Sequence, residues 1–122
     1  MTKTMNSNTI KQLNLLYYAK ALLMHGWSKG AMYRAADGDI VDPDNPDNPD
    51  IASCCLLGAL DKANADMIRD DLILSLARSK VRSHLPTSDG WITDFNDAPE
   101  TTKEEVLAVV DKAINELLVT DQ

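Results

Sequence analysis

Apolar residues recur at helical spacing in three long segments of this chain, and in one shorter stretch they run together without a break. In the first segment, Ile10, Leu13, Leu16, Tyr17, Ala21 and Met24 mark one helix face. Leu15, Tyr18, Leu22 and Leu23 widen that face, so this helix is expected to be covered on two sides. Asn8 or Thr9 can cap its start, and Gly26 is the expected stop, through the left-handed backbone that often follows a helix. Residues 1–8 are polar and expected to lie loose. The unbroken stretch is Ile51-Ala52-Ser53-Cys54-Cys55-Leu56-Leu57-Gly58-Ala59-Leu60, without a single charge. A helix apolar all round must be enclosed, and a bilayer span needs about 20 residues. The stretch therefore predicts a central buried helix over 51–64, capped by Asp50 or Ser53. Gly58 costs about 1 kcal/mol against Ala inside a helix, so its expected use is to admit a neighbouring backbone.

Between these two segments, residues 31–41 read as a small hairpin turning at Asp37-Gly38, because Gly takes positive φ without steric cost. A lone hairpin is marginal in water, so Met32 or Tyr33 and Ile40 or Val41 should anchor it on the helices. Residues 42–50 contain Asp-Asn-Pro twice, at 44–46 and 47–49, and read as an extended acidic loop. Asp66 can cap a third helix from Met67 to about Leu85, with Ile68, Leu72, Ile73, Leu76 and Val81 on its apolar side. Arg78, Lys80, Arg82 and His84 fall toward its end, where positive charge meets the helix dipole. Pro86 and Asp89-Gly90 break the chain, and Trp91 to Phe95 can form one short helix. Thr102-Lys103-Glu104-Glu105 is a capping box ahead of Val106, Leu107, Val110, Ile114, Leu117 and Leu118 at helical spacing. The pattern predicts one domain over 1–122 that is mainly α. It is a compact bundle of about four main helices, with the hairpin and the acidic loop between helices 1 and 2.

Charge sharpens this picture. Of the 19 acids, seven (Asp37, Asp39, Asp42, Asp44, Asp47, Asp50 and Asp61) lie between Ala35 and Asp61 with no base among them. The other 12 acids balance the 12 bases, so the whole net charge of −7 belongs to one segment. Direct nucleic-acid binding is disfavoured, since it needs a basic surface for phosphate contacts. A basic protein surface is the partner this segment suits.

The cysteines and histidines were weighed as chemistry. Cys54 and Cys55 are adjacent and no other cysteine exists to make a disulfide framework, which points to a reducing compartment. The N-terminus lacks the apolar core of a signal peptide, and the expected location is cytoplasmic with no membrane span. Cys55 near a helix start would have its thiol activated by the dipole. Its apolar neighbours and the upstream acids oppose that. A nucleophilic set can be drawn from Cys55, His84 and Asp97 or Asn96, but such sets are easily drawn by chance, and no catalytic residue is assigned. The Cys and His spacing does not match a zinc site. The acidic run fails the EF-hand pattern, with Val41 at position 5, Asp42 in place of the Gly at 6 and Asn48 in place of the Glu at 12. An irregular Ca²⁺ site within 42–50 is the weaker alternative to a solvated loop, and neither metal nor cofactor is expected.

Several scattered pieces resemble a small family of short phage and bacterial proteins with no assigned activity. They are Trp27-x-x-Gly30-Ala31, Asp37-Gly38 followed by Val41-Asp42-Pro43, and Cys55-x-Leu57-Gly58-Ala59-Leu60, then Asn96-Asp97-Ala98-Pro99 and Glu105-Val106-Leu107. They span roughly residues 27–114; the doubled Asp-Asn-Pro and Cys54 depart from the pattern. The resemblance implies helices plus a hairpin and a phage origin, and no reaction.

The expected function is a non-enzymatic acidic binding protein that uses Asp39, Asp42, Asp44, Asp47 and Asp50 against a basic protein surface of a host complex. A phage-encoded inhibitor of a host nucleic-acid or defence machine, anti-CRISPR-like in kind, fits size and charge. The alternative is a small cysteine-dependent enzyme using Cys55.

Overall fold

Helix α1 (Ser7–His25) is the element on which the others are laid. Strands β1 (Tyr33–Ala35), β2 (Ile40–Val41) and β3 (Ile51–Cys54) follow. Helices α2 (Leu56–Ala63), α3 (Asp71–Ser83), α4 (Ile92–Asp97) and α5 (Lys103–Thr120) complete the chain, with a π-helical turn at Asn64–Ile68 between α2 and α3. The computed structural model describes residues 5–87 and 90–120. The architecture is mainly helical with one small antiparallel sheet, and among the described residues no helix is long and apolar enough to cross a membrane.

Asn6 caps α1, its side-chain oxygen accepting from Asn8 N at 2.8 Å. Ser7 and Asn8 are thus helical rather than loose, and the expected loose residues 1–4 lie outside the described residues. α1 packs against α2, α3, α5 and β3, burying Leu13, Leu15, Leu16, Ala19 and Leu23. The cover is two-sided, but the face is rotated from the predicted one: Ile10, Tyr17 and Met24 are exposed. From Leu15 to Met24 only Lys20 is polar, so several faces compete and the leucines that offer most area turn inward.

The apolar run 51–60 does not form one helix. Ile51–Cys54 is a strand, and α2 starts only at Leu56. β1 lies in the middle of a three-stranded sheet ordered β2-β1-β3, pairing Tyr33 with Val41 on one side and with Cys54 on the other. The physical reason is twofold. An unbroken apolar run carries no period to separate strand from helix, and a two-stranded hairpin leaves β1 with an unpaired edge that a third strand satisfies. Asp50 and Ser53 therefore cap nothing; Cys55 is the N-cap. Of the hairpin anchors, Tyr33 and Val41 are buried while Ile40 is 63% exposed.

Two glycines let backbones meet at this corner. Gly26 follows α1 in extended conformation (φ −165°), not the left-handed one expected. A Cβ there would stand 2.3 Å from the Ala52 carbonyl oxygen. On α2, a Cβ at Gly58 would stand 2.4 Å from the Met32 carbonyl oxygen, the close approach anticipated for it.

The start of α3 also moves. Asp70, not Asp66, is its cap, accepting from Leu72 N at 3.1 Å and Ile73 N at 3.3 Å. Asp66 belongs to the π-helical turn and accepts from Tyr18 Oη at 2.8 Å. Arg69 closes that turn with positive φ (53°). The expected apolar side holds only in part: Ile73 and Val81 are buried with Ala77 between them, while Leu72 and Leu76 face outward. The bases of α3 divide between two sides. Lys80 and His84 reach Glu116 on α5, and Arg78 pairs with Asp61 on α2. α4 forms where a short helix was expected, and the capping box holds: Glu105 N donates to Thr102 Oγ1 at 3.2 Å. The expected break at Asp89-Gly90 falls partly outside the described residues, which resume at Gly90.

Gly58→Ala tests the corner. Overpacking costs about 1–3 kcal/mol, and a backbone carbonyl cannot swing aside, so the upper end applies, against a helix-propensity gain of about 1 kcal/mol. A net loss of about 2 kcal/mol is expected in urea denaturation. A variant as stable as wild type or more so would mean that α2 does not rest on the Met32 carbonyl.

Candidate functional site

The segment from Asp42 to Asp50 is built on a three-residue period. Pro43, Pro46 and Pro49 each sit second in a four-residue turn, where a fixed φ favours the turn. The turns close by Asn45 N to Asp42 O (3.0 Å), Asn48 N to Asn45 O (3.2 Å) and Ile51 N to Asn48 O (3.2 Å). Asx side chains brace two of them: Asp42 Oδ1 accepts from Asp44 N at 2.9 Å and Asn48 Oδ1 from Asp50 N at 2.8 Å. Asp44, Asp47 and Asp50 thus occupy the same position in three successive turns. Asp39, Asp42, Asp44, Asp47 and Asp50 are all exposed, and among the described residues none of them is in an ion pair. Lys62 Nζ ties the middle of the segment to α2 by donating to the Pro46 carbonyl at 2.7 Å. The period was visible in the sequence as a proline every third residue, which the doubled Asp-Asn-Pro motif obscured.

Cys55 has a structural task. Its Sγ accepts from Gly58 N at 3.3 Å, and burial, only partly offset by that contact, pushes its thiol up. Burial, then the neighbouring Cys55, pushes the Cys54 thiol up to about 11. Both side chains are buried thiols at neutral pH. Of the residues drawn with Cys55 as a nucleophilic set, His84 is engaged elsewhere, its Nε2 2.6 Å from Glu116 Oε2. His25 is exposed at the end of α1. Among the described residues no three His, Cys, Asp or Glu side chains converge as a metal-ligating group.

Asn96 comes to Cys55 in another role. Fully buried, its Oδ1 accepts from Trp27 Nε1 at 2.7 Å and Leu56 N at 2.9 Å. Its Nδ2 donates to Ser28 O at 3.1 Å and Asp97 Oδ1 at 2.9 Å. Asp97 Oδ1 also accepts from Gly30 N at 2.9 Å, and Lys29 Nζ donates to Ala98 O at 2.6 Å. Trp27–Gly30, Cys55-Leu56 and Asn96–Ala98, far apart in sequence, therefore meet at the start of α2. Hydrophobic periodicity is blind to a buried amide, so the spacing around Asn96-Asp97-Ala98-Pro99 gave no sign of this node.

The raised thiols make stability pH-dependent. A group whose folded pKa exceeds its unfolded value stabilises fully below the unfolded pKa and loses that contribution as pH rises through the folded one. For Cys54 the window runs from about pH 9 to about 11. The loss expected is on the order of 2 kcal/mol, with Tyr33, raised chiefly by burial, adding to it at still higher pH. Cys54→Ala should flatten the pH 9–11 fall in urea midpoints. An unchanged slope would show that burial does not hold this thiol neutral.

No curated protein and no solved structure matches the chain. A family of unknown function, DUF6197, matches residues 8–116. That span holds α1, the sheet, the acidic turns, the Asn96 node and most of α5, and the chain belongs to this family.

Proposed function

We propose that this protein is a non-catalytic binding module that presents the segment from Asp39 to Asp50 to a basic surface on a protein partner. The observation that carries the reading is the run of three proline-anchored turns, which repeats an exposed carboxylate at Asp44, Asp47 and Asp50 without ion pairs among the described residues. A segment already held in one conformation loses little freedom on binding. Beside it, Ile40 is exposed in the edge strand β2, an apolar contact within a charged rim, which is the usual anatomy of an interface. Exposed charges of one sign steer encounter with an opposite surface. Proteins that hold nucleic acid carry such basic surfaces, so the specific form we favour is a phage-encoded inhibitor of a nucleic-acid or defence machine, anti-CRISPR-like in kind. The alternative, an enzyme using Cys55, draws less support: its thiol is buried and protonated, and His84 is committed to Glu116.

Changing Asp44, Asp47 and Asp50 to Asn removes three charges and keeps the turn chemistry. Immobilised wild-type protein in bacterial lysate should retain a partner that salt releases. The triple variant should associate with that partner about tenfold more slowly and with a shallower salt dependence. Ile40→Asp separates docking from bulk attraction: it adds negative charge, yet should speed dissociation. Unchanged rates and salt slope in the triple variant, in a protein that melts like wild type, would make the segment a solvated connector.

A further inference from the structure

Helix α3 carries a second polar feature built from other elements. Ser75, Arg78, Ser79 and Arg82 are spaced i, i+3, i+4, i+7 and so share one face. They line a groove of about 380 Å³ whose other walls include Leu57 of α2 and Trp91 and Thr93 at the start of α4. Arg82 Nε donates to the Gly90 carbonyl at 3.3 Å, which fixes the guanidinium 4.3 Å from the Trp91 ring centroid. A stacked guanidinium keeps its terminal N–H groups free to point outward from the ring plane edge. Even with Arg82 against it, Trp91 remains 60% exposed, so indole surface stays open at the groove. Arg78 pairs with Asp61, but its buried Nε–H has no protein acceptor among the described residues, and buried donors are rarely left so. Asp61 offsets one of the two positive charges, so the groove keeps a net charge of one plus the hydroxyls of Ser75, Ser79 and Thr93.

We infer that this groove binds a small phosphate monoester bearing a flat ring, the class of mononucleotides. Arginine forks and serine hydroxyls are the donors that suit a tetrahedral oxyanion. The volume lies within the range of small-molecule pockets and exceeds what a lone phosphate fills, and Leu57 with the exposed part of the Trp91 indole supplies an apolar wall for a ring. A long nucleic-acid track needs a run of bases, and the groove offers only Arg78 and Arg82.

The test is titration of the full ¹⁵N-labelled protein with AMP, adenosine and inorganic phosphate, read at the two indole N–H signals. Trp27 donates its indole N–H to Asn96 and serves as the internal reference. AMP at millimolar concentration should move the Trp91 signal saturably and leave that of Trp27 in place, with adenosine and phosphate alone each at least tenfold weaker. Arg82→Gln, with its melting curve matched to wild type, should weaken AMP about tenfold or more. The inference is overturned if AMP leaves Trp91 unmoved, if adenosine or phosphate binds as well as AMP, or if Arg82→Gln has no effect. A phosphorylated tetranucleotide that binds more tightly than AMP would place a strand end there instead and overturn the mononucleotide reading.

Discussion

The turn from strand to helix at Cys54-Cys55-Leu56 is held from three directions, and most of the fold meets there. Cys54 N donates to Gly26 O at 2.9 Å, Cys55 N to Met32 O at 3.0 Å and Leu56 N to Asn96 Oδ1 at 2.9 Å. A helix begins with N–H groups that have no intrahelical acceptor. Cys55 Sγ is a weak acceptor, so the amide of Asn96 supplies the stronger partner and lets a thiol stand where Ser or Asp usually would. Only an amide serves this position, because it must accept from Trp27 and Leu56 while donating to Ser28 and Asp97. Aspartate would accept at both ends and leave a buried carbonyl facing a buried carboxylate. The node thereby locks the segment after α1 and the segment before α5 to the same corner.

That dependence explains what was readable in the sequence and what was not. The capping box at Thr102–Glu105, the Asp37-Gly38 turn and the service of Gly58 were legible, because each rests on neighbours in sequence or on the lack of a side chain. The identity of Ile51–Cys54 as a strand was not, since its reason is the vacant edge of β1, whose paired residues lie 16 to 21 positions upstream in the chain. The face of α1 was misjudged at Ile10, Tyr17 and Met24 because its second half, apolar from Leu15 to Met24 except for Lys20, offers several stripes of similar quality. On α3 the inward row Ile73, Ala77 and Val81 was half legible, at Ile73 and Val81, whereas Leu72 and Leu76 lie off that row and face outward. For the site, the exposed aspartates lie where their composition suggested, whereas the Asn96 node and the Arg82–Trp91 stack are long-range and left no local pattern.

Charge is distributed with the same logic. The bases of α3 reach opposite sides of the helix, Lys80 and His84 to Glu116 and Arg78 to Asp61, tying α3 to α5 and to α2. Exposed pairs of this kind contribute little stability each, so their effect is chiefly to orient the helix. Among the described residues no ion pair joins a base to the turns between Asp42 and Asp50; Lys62 meets them at the Pro46 carbonyl and pairs with Asp66.

The acidic turns could protect a sheet edge as well as serve the binding role proposed above. β2 is an edge strand, and charge beside an edge discourages pairing with another chain. Asp39 and Asp42 already flank Ile40-Val41 and suffice for that. Nothing about edge protection calls for Asp44, Asp47 and Asp50 to recur in three equivalent turns beyond the strand. Nor does closing the loop require them, since the proline and Asx positions set the backbone and the third turn residue is free to vary. Both ends of the segment are anchored, at buried Val41 and through the pairing of Ile51 with Ala35. A restrained backbone that repeats an optional charge three times makes more sense as a display than as a connector.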